Sequence, residues 1–473
     1  MSEAAAPGAG AIIRERTKVR LNRGEWAWAL FEWARNPYVI LCLIYLFAPY
    51  LAQRVFADPI EGQTQIAGWH KIAGVAVALT APFLGAAADR MGRRKPMLGV
   101  VVLLLTPAIF IQYWAAPAGV AGGLPIWGIG ACVIAAGILF AYTEVLHNSM
   151  LPSVSAPAAL PHTSGLGLAL GNAAAVLMLA SVAWGLALPG VVQAGWIPAA
   201  PLFGLDPVLG EPSRAVAPLV AVWFLVFSLP LFLFTPDQPS SGASFAVALR
   251  QGVRSVAATL RKLRDHRNVA TFLVARMLYA DGKAAILIFG GVYAAGIMDW
   301  GLLEMCAFGV VLSVFAVAGG VLGGWLDHWI GPKNAVALEI GVTFLCLVGM
   351  VSMTPETIFF VVPVPAEPVW ASPIFGRATE LAYLAVTMVV AISITAAYAS
   401  SRTLMARLSP AGMEGELFGL YALAGSATVW LGPLLVEHFT HEYQSLRAGF
   451  GSIGVLLLAG FALMLFVKPP TRA

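Results

Sequence analysis

Glu32 and Arg35 stand three residues apart in an otherwise apolar stretch, directly before Asn36-Pro37. That spacing puts both charges on one face of a helix. A second group, Arg276, Asp281 and Lys283, lies in another apolar stretch around Gly282. An ionisable side chain in hydrocarbon costs about 2.5–3.5 kcal/mol even on the mildest scales, so each of these calls for a partner or a task. The chemistry they offer is recognition of a charged polar solute. Arg35 or Arg276 could hold a carboxylate through two parallel N–H donors. Asp281 or Glu32 could hold an ammonium group or carry a coupling proton. Interruptions at Asn36-Pro37 and Gly282 are expected to free backbone groups near the bilayer midplane, where ions and substrate bind. The competing reading is structural, with Glu32–Arg276 and Arg35–Asp281 as ion pairs that lock two halves together. Lys71 is a further candidate contact unless it snorkels outward. Trp28, Trp33, Tyr38, Tyr279 and Trp300 either line the path or pack.

The elements that must position these groups are membrane helices. Of 473 residues 59% are apolar and 11% charged, with a mean hydropathy of +0.82. A soluble domain carries about 25% charged residues. A bilayer crossing needs about 20 mostly apolar residues. Twelve such segments are predicted, near 26–53, 66–88, 96–115, 124–147, 164–188 and 215–236, then 268–297, 302–326, 334–353, 379–403, 415–437 and 446–467. Sorting the 28 Lys and Arg residues by alternate connections tests that count. The tails and even-numbered connections hold 20, and the odd-numbered ones four: Arg54, Arg214, Arg377 and Arg447. This asymmetry predicts that both termini are cytoplasmic. The first apolar segment is too long for a signal peptide and should stay as a span.

The chain also repeats itself. Phe31 to Tyr38 and Phe272 to Tyr279 both read F-x-x-A-R-x-x-Y, offset by 241 residues. Gly85-Ala86-Ala87-Ala88-Asp89-Arg90-Met91-Gly92-Arg93-Arg94-Lys95 corresponds to Gly323-Gly324-Trp325-Leu326-Asp327-His328-Trp329-Ile330-Gly331-Pro332-Lys333, offset by 238. Two six-helix halves are therefore expected, a transporter architecture with its site between them. The expected divisions are a cytoplasmic tail 1–25, a bundle 26–236, a linker 237–267, a second bundle 268–467 and a tail 468–473. In the linker, apolar residues from Phe245 to Leu263 recur at three and four positions among Arg250, Arg254, Arg261, Lys262 and Arg264. That pattern suits a basic amphipathic helix, on the lipid surface or against the protein's underside.

The loop after the second span resembles the signature loop of the major facilitator superfamily. Further motifs are similar to those of its vacuole-effluxer-like permease branch: Trp28-Ala29-Leu30-Phe31-Glu32-Trp33-Ala34, His147-Asn148-Ser149-Met150-Leu151-Pro152, Ser164 to Gly171, Leu278-Tyr279-Ala280-Asp281-Gly282, Ser401-Arg402 to Pro410, and Glu416-Leu417-Phe418-Gly419. The resemblance implies an all-α membrane protein, twelve helices in two pseudo-symmetric bundles, the major facilitator fold. Fungal members of the branch are associated with amino-acid release from the vacuole, and most bacterial members have no assigned substrate. Arg35 replaces the branch's usual Asn, and His328 replaces the Arg of the second loop motif. The resemblance further implies a gating role for the loops. Asp89 with Arg90, Arg93 and Arg94 would form a latch, Asp89 facing the start of the eleventh span near Ser409-Pro410. Asp327 is its counterpart in the second half. Glu144 and Arg402 end spans four and ten and would pair across the halves as a gate, unless both are simply solvated span ends.

No nucleotide loop, zinc-helix motif or catalytic Ser/His/Asp cluster is present, so no enzyme activity, metal or cofactor is expected. Cys42, Cys132, Cys306 and Cys346 lie in apolar runs and read as core residues. Nucleic-acid binding is excluded by the scattered basic residues. The expectation is a secondary active transporter of a small polar solute, an amino acid or related compound, with protons as candidate coupling ion. The competing classes are a non-transporting receptor or assembly protein on the same fold, and an efflux pump for charged drug-like compounds. The expected setting is a bacterial inner membrane, as a monomer, with the lipid bilayer and the substrate as partners. If Asp281 carries the coupling proton, Asp281→Asn should abolish uptake driven by a pH gradient while leaving expression intact; normal gradient-driven uptake by the variant would remove Asp281 from the mechanism.

Overall fold

The structure is a computed structural model. It describes residues 21–469 apart from 57, 157–158, 240–241, 243–246, 248–260, 262, 366, 410–416, 418–419, 422 and 426. Among the described residues, twelve helices of more than ten residues follow in order. The first, α1, starts at Arg23–Pro37, continues as π-helix through Tyr38–Tyr45, and ends with a short α-turn and a second π stretch, Leu51–Val55. Then come α2 (Pro59–Met91), α3 (Lys95–Phe110), α4 (Ile126–Val154), α5 (Leu160–Val182) and α6 (Val216–Phe234). The second series is α7 (Arg267–Met298), α8 (Leu302–Trp329), α9 (Pro332–Val351), α10 (Ala378–Leu408), α11 (Leu431–Tyr443) and α12 (Leu446–Phe466).

Local chemistry sets the helix ends. Asn22 and Glu25 form a reciprocal capping box at the start of α1, satisfying two orphan backbone donors. Asp58 caps α2, with Pro59 in the first turn where its missing N–H costs nothing. Gly92 ends α2 at φ +83°, a left-handed conformation that glycine adopts without strain. Asp237, beyond α6, accepts from the backbone of Arg94 and Lys95 and so fixes the start of α3.

The same pairs of helices pack in both halves. α1 lies on α6 as α7 lies on α12; α2 on α4 as α8 on α10; α3 on α4 and α6 as α9 on α10 and α12. This is the repeat seen in the sequence, realised as two pseudo-symmetric bundles. Ten helices among the described residues are long and apolar enough to cross a membrane by length and composition alone. Of the other two, α7 carries Arg276, Asp281 and Lys283 at its centre, and α11 is an uninterrupted helix only over Leu431–Tyr443.

Two expectations about helix shape are corrected. α7 runs unbroken through Gly282 for 32 residues. A Cβ on Gly282 would meet the Leu457 side chain at 3.1 Å, so this glycine permits close packing on α12. The interruption lies instead in the eleventh span, where Ala427–Trp430 form a turn before α11 begins. At Asn36-Pro37 the helix does not stop but widens into the π stretch, which lengthens its hydrogen-bond spacing and shifts its side chains. The predicted linker helix lies almost wholly outside the described residues.

The face where α1 begins, the basic face, carries most of the described Arg and Lys residues. Cross-bundle packing is concentrated toward the opposite face: α2 on α11, α5 on α8, and the π-helical part of α1 on α7 and α8. At that seam Gln63 donates to Thr440 Oγ1 at 2.8 Å and to the Leu446 carbonyl at 3.2 Å. A Cβ on Gly74 would sit 2.9 Å from Trp430 Cα and 3.0 Å from its nitrogen. Gly74→Leu should therefore overpack the α2–α11 seam, at about 1–3 kcal/mol, and lower the Tm of the purified protein. Gly165→Ala, a position inside α5 with nothing within 4 Å, serves as the control and should not lower Tm.

Candidate functional site

Glu32 and Arg35 do share a face of α1, and they pair with each other, Arg35 Nε donating to Glu32 Oε2 at 2.8 Å. Both are nearly buried, at 11% and 13% side-chain exposure. Arg35 Nη2 also reaches Glu144 Oε2 on α4 at 3.7 Å, and the guanidinium lies 5.0 Å over the Phe140 ring. The remaining guanidinium nitrogen, Nη1, is buried with no hydrogen-bond partner among the described residues. Asn36, one residue on, approaches Asn172 of α5 at 3.5 Å. The cross-bundle pairs Glu32–Arg276 and Arg35–Asp281 do not form: a partner three residues away on the same helix is reached without any tertiary movement.

His147, on α4, joins this cluster, and sequence reasoning noted it only within a family motif. Its Nδ1 faces Glu32 Oε1 at 3.4 Å. Its ring stacks on Trp28 at 4.2 Å and lies 4.7 Å from the Phe31 ring. Trp28 Nε1 donates to the His147 carbonyl at 3.0 Å, while His147 Nε2 donates to the Trp28 carbonyl at 2.9 Å. These reciprocal bonds hold α1 and α4 in register.

The symmetry-related group on α7 is arranged differently. Arg276 donates to the Tyr421 carbonyl at 2.6 Å and stacks 3.5 Å over that residue's ring. Tyr279 shares a hydroxyl contact of 2.8 Å with Ser401, which Tyr421 also reaches at 3.0 Å. Asp281 Oδ2 accepts from the Gly432 amide at 2.9 Å. It thereby caps the start of α11, where helix dipoles favour a negative charge. Its Oδ1 has no partner among the described residues. Lys283 is fully buried, with its ammonium 3.9 Å over the Tyr398 ring and no hydrogen-bond partner among the described residues.

Glu339 of α9 is a charge that the sequence reading passed over. It is buried, accepts from Ser400 at 3.0 Å, and lies within electrostatic reach of Lys283. Glu437 is another, forming the ion pair at 2.5 Å that holds Lys71 across the α2–α11 seam. Lys71 therefore neither snorkels nor stands free for substrate. Both glutamates could have been found by examining acidic residues inside the predicted spans as closely as basic ones.

The gating candidates are only partly placed. The Asp89 side chain and the start of the eleventh span lie outside the described residues. Arg90 and Arg93 are exposed, while Arg94 and Asp327 are buried. The expected Glu144–Arg402 pair is not formed. Glu144 faces Arg35, and Arg402 is exposed. Both nevertheless lie within electrostatic reach of the Tyr398 phenol, so α4 and α10 face each other across the gap between the bundles. No group of three or more His, Cys, Asp and Glu suited to a metal occurs among the described residues.

Removing one member of a buried ion pair strands the other, at about 3–5 kcal/mol. Arg35→Ala should thus lower thermal stability substantially, and adding Glu32→Gln should restore much of it. Equal Tm values for Arg35→Ala and wild type would mean that Glu32 draws its compensation elsewhere.

Comparison with known proteins places this geometry. The profile of the family described as "Vacuole effluxer Atg22 like" matches residues 70–471. The uncharacterized MFS-type transporter YxiO of Bacillus subtilis is 21% identical over 458 residues, 96% of each chain. Autophagy-related protein 22 of Yarrowia lipolytica is 24% identical over 272 residues, covering 53% of this chain and 43% of its own length. Among solved structures, the nucleoside transporter NupG superposes with a TM-score of 0.64 at 11% identity, over 94% of this chain and all of that one. At that identity the likeness shows the fold alone.

Proposed function

The chain belongs to the vacuole effluxer Atg22-like family, membrane transporters of the major facilitator type, and from that premise we propose that it moves a small zwitterionic solute, an amino acid or close relative, by proton-coupled alternating access. The observation that carries the substrate class is the Arg35 guanidinium, buried between two carboxylates with Nη1 unpartnered among the described residues. An unpaired buried donor costs about 1–3 kcal/mol, more when charged, and a substrate carboxylate would supply the missing acceptor. Glu144, 52% exposed and 3.7 Å from Arg35, is the group for the substrate's ammonium. This assignment moves the ammonium site from Asp281, committed to the Gly432 amide, to α4. The amino-acid association of the fungal branch supports the same class.

The basic face is assigned to the cytoplasm by the positive-inside rule. The packed seam of Lys71–Glu437 and Gln63–Thr440 then closes the outer side, and substrate reaches Arg35 from the cytoplasm. Alternating access requires that seam to part as α4 and α10 approach, a rigid-body movement of one bundle against the other. Arg402, approaching Glu144 in that movement, and the loops around Asp89, Arg90, Arg93, Arg94 and Asp327 would steady the second state. Arg276, Tyr279 and Lys283 would line the path from the second bundle. The full-length match to a Bacillus protein supports a bacterial plasma membrane. A monomer is sufficient, because the pseudo-symmetric interface is internal.

Counterflow in proteoliposomes with a labelled amino-acid mixture, with and without an imposed pH gradient, tests this reading. Uptake that the gradient accelerates is the expected result. Arg35→Lys keeps the charge but loses the fork, and should weaken apparent affinity about tenfold, the value of one charge-assisted hydrogen bond. Well-folded protein that exchanges no amino acid would reject the substrate class.

A further inference from the structure

His147 is fully buried in α4, and its surroundings fix which of its nitrogens is free to take a proton. Nε2 lies 2.9 Å from the Trp28 carbonyl oxygen. A carbonyl only accepts, so Nε2 carries a hydrogen, and in the neutral ring Nδ1 is the bare nitrogen. That bare nitrogen faces Glu32 Oε1 at 3.4 Å, one lone pair toward another. The arrangement is unfavourable for a neutral imidazole and favourable for an imidazolium. With a proton on Nδ1 the contact becomes a charge-assisted bond, whose usual length is about 2.7–2.9 Å.

The other oxygen of the same carboxylate already serves Arg35 at 2.8 Å. The charged groups gathered here are Glu32 and Arg35 from α1 and Glu144 from α4 itself. Among the described residues no charged side chain of α2, α3 or α5 pairs with the ring. Glu144 lies one turn before His147 and is half exposed, which gives the buried cluster a link to water.

We propose that His147 is the proton-binding site of this transporter, with Glu32 as its counter-charge, and that its proton and the substrate's carboxylate bind together. The inference rests on the transporter reading above. The step is one protonation: a proton from water adds to the Nδ1 lone pair, and no other bond is made or broken. Once the imidazolium balances Glu32, Arg35 is released from sole charge of that carboxylate and can take an anionic substrate group on Nη1. When the proton leaves, Glu32 reclaims Arg35 and competes with the substrate. Reciprocal linkage then makes each ligand favour the other.

Two substitutions separate this role from a purely structural one. His147→Gln places an amide donor where Nε2 lies and keeps the bond to Trp28, but cannot titrate. His147→Asn places an amide where Nδ1 lies and donates to Glu32 at every pH. The first readout needs no substrate. The Trp28 ring stacks on His147 at 4.2 Å, so imidazolium formation should quench its fluorescence as the pH is lowered. The wild-type protein should show this quenching, and His147→Gln and Trp28→Phe should lose it. The second readout is the pH dependence of amino-acid counterflow, which both His147 variants should lose. Quenching that persists in His147→Gln, or folded variants that keep the wild-type pH profile, would overturn the proposal. Wild-type quenching without any amino-acid counterflow would support the proton site and reject the substrate class alone.

Discussion

The arrangement of this protein follows from the cost of leaving a charge or a polar atom uncompensated in hydrocarbon. Most of the intramembrane charges described are answered locally. Glu32 has Arg35 and His147, Lys71 has Glu437, Asp281 has the Gly432 amide in the first turn of α11, and Arg276 has the carbonyl and ring of Tyr421. Where the answer is incomplete, as at Arg35 Nη1, the remaining donor is what a ligand can use. Most of the polar network thus fixes helix positions, and a small remainder is available for chemistry.

The two halves share their packing scheme but not their electrostatics. In the first, one carboxylate is contested by an arginine and a histidine, beside an exposed glutamate. In the second, the corresponding arginine is bound to backbone and ring, and the buried Lys283 and Glu339 are near each other without forming an ion pair. A shared fold with unequal charges is what a carrier needs if one half binds and the other mainly closes. The opposite-face seam relies on the same economy: Gly74 and Gly309 let α2 and α8 approach Trp430 and Leu179 closely, and among the described residues only a few polar bonds cross between bundles. A seam joined in this way can part without exposing many unsatisfied groups.

Much of the fold was legible, because hydropathy and basic-residue alternation respond to the bilayer directly, and the repeat is written in residue types at fixed offset. The site was legible at α1, where Glu32 and Arg35 face the same side by helical periodicity alone. It was not legible where a partner came from a distant helix. Glu437 and His147 lie 366 and 115 residues from Lys71 and Glu32, and no local pattern links them. The break assigned to Gly282 failed for a related reason. A glycine in a membrane helix serves a kink or a close contact equally well, and only the position of Leu457 on α12 distinguishes the two.

The amino-acid sequence by itself determined that this chain lives in a membrane, that it crosses it in two homologous sets of helices, and which few charges must be accounted for inside. Those properties depend on transfer free energies and helical spacing, which are local. The tertiary structure alone decided which charge answers which, that the interruption falls in the eleventh span, and that His147 presents Nδ1 rather than Nε2 to Glu32. Such pairings depend on distances between helices, which are set only when all the apolar faces pack together.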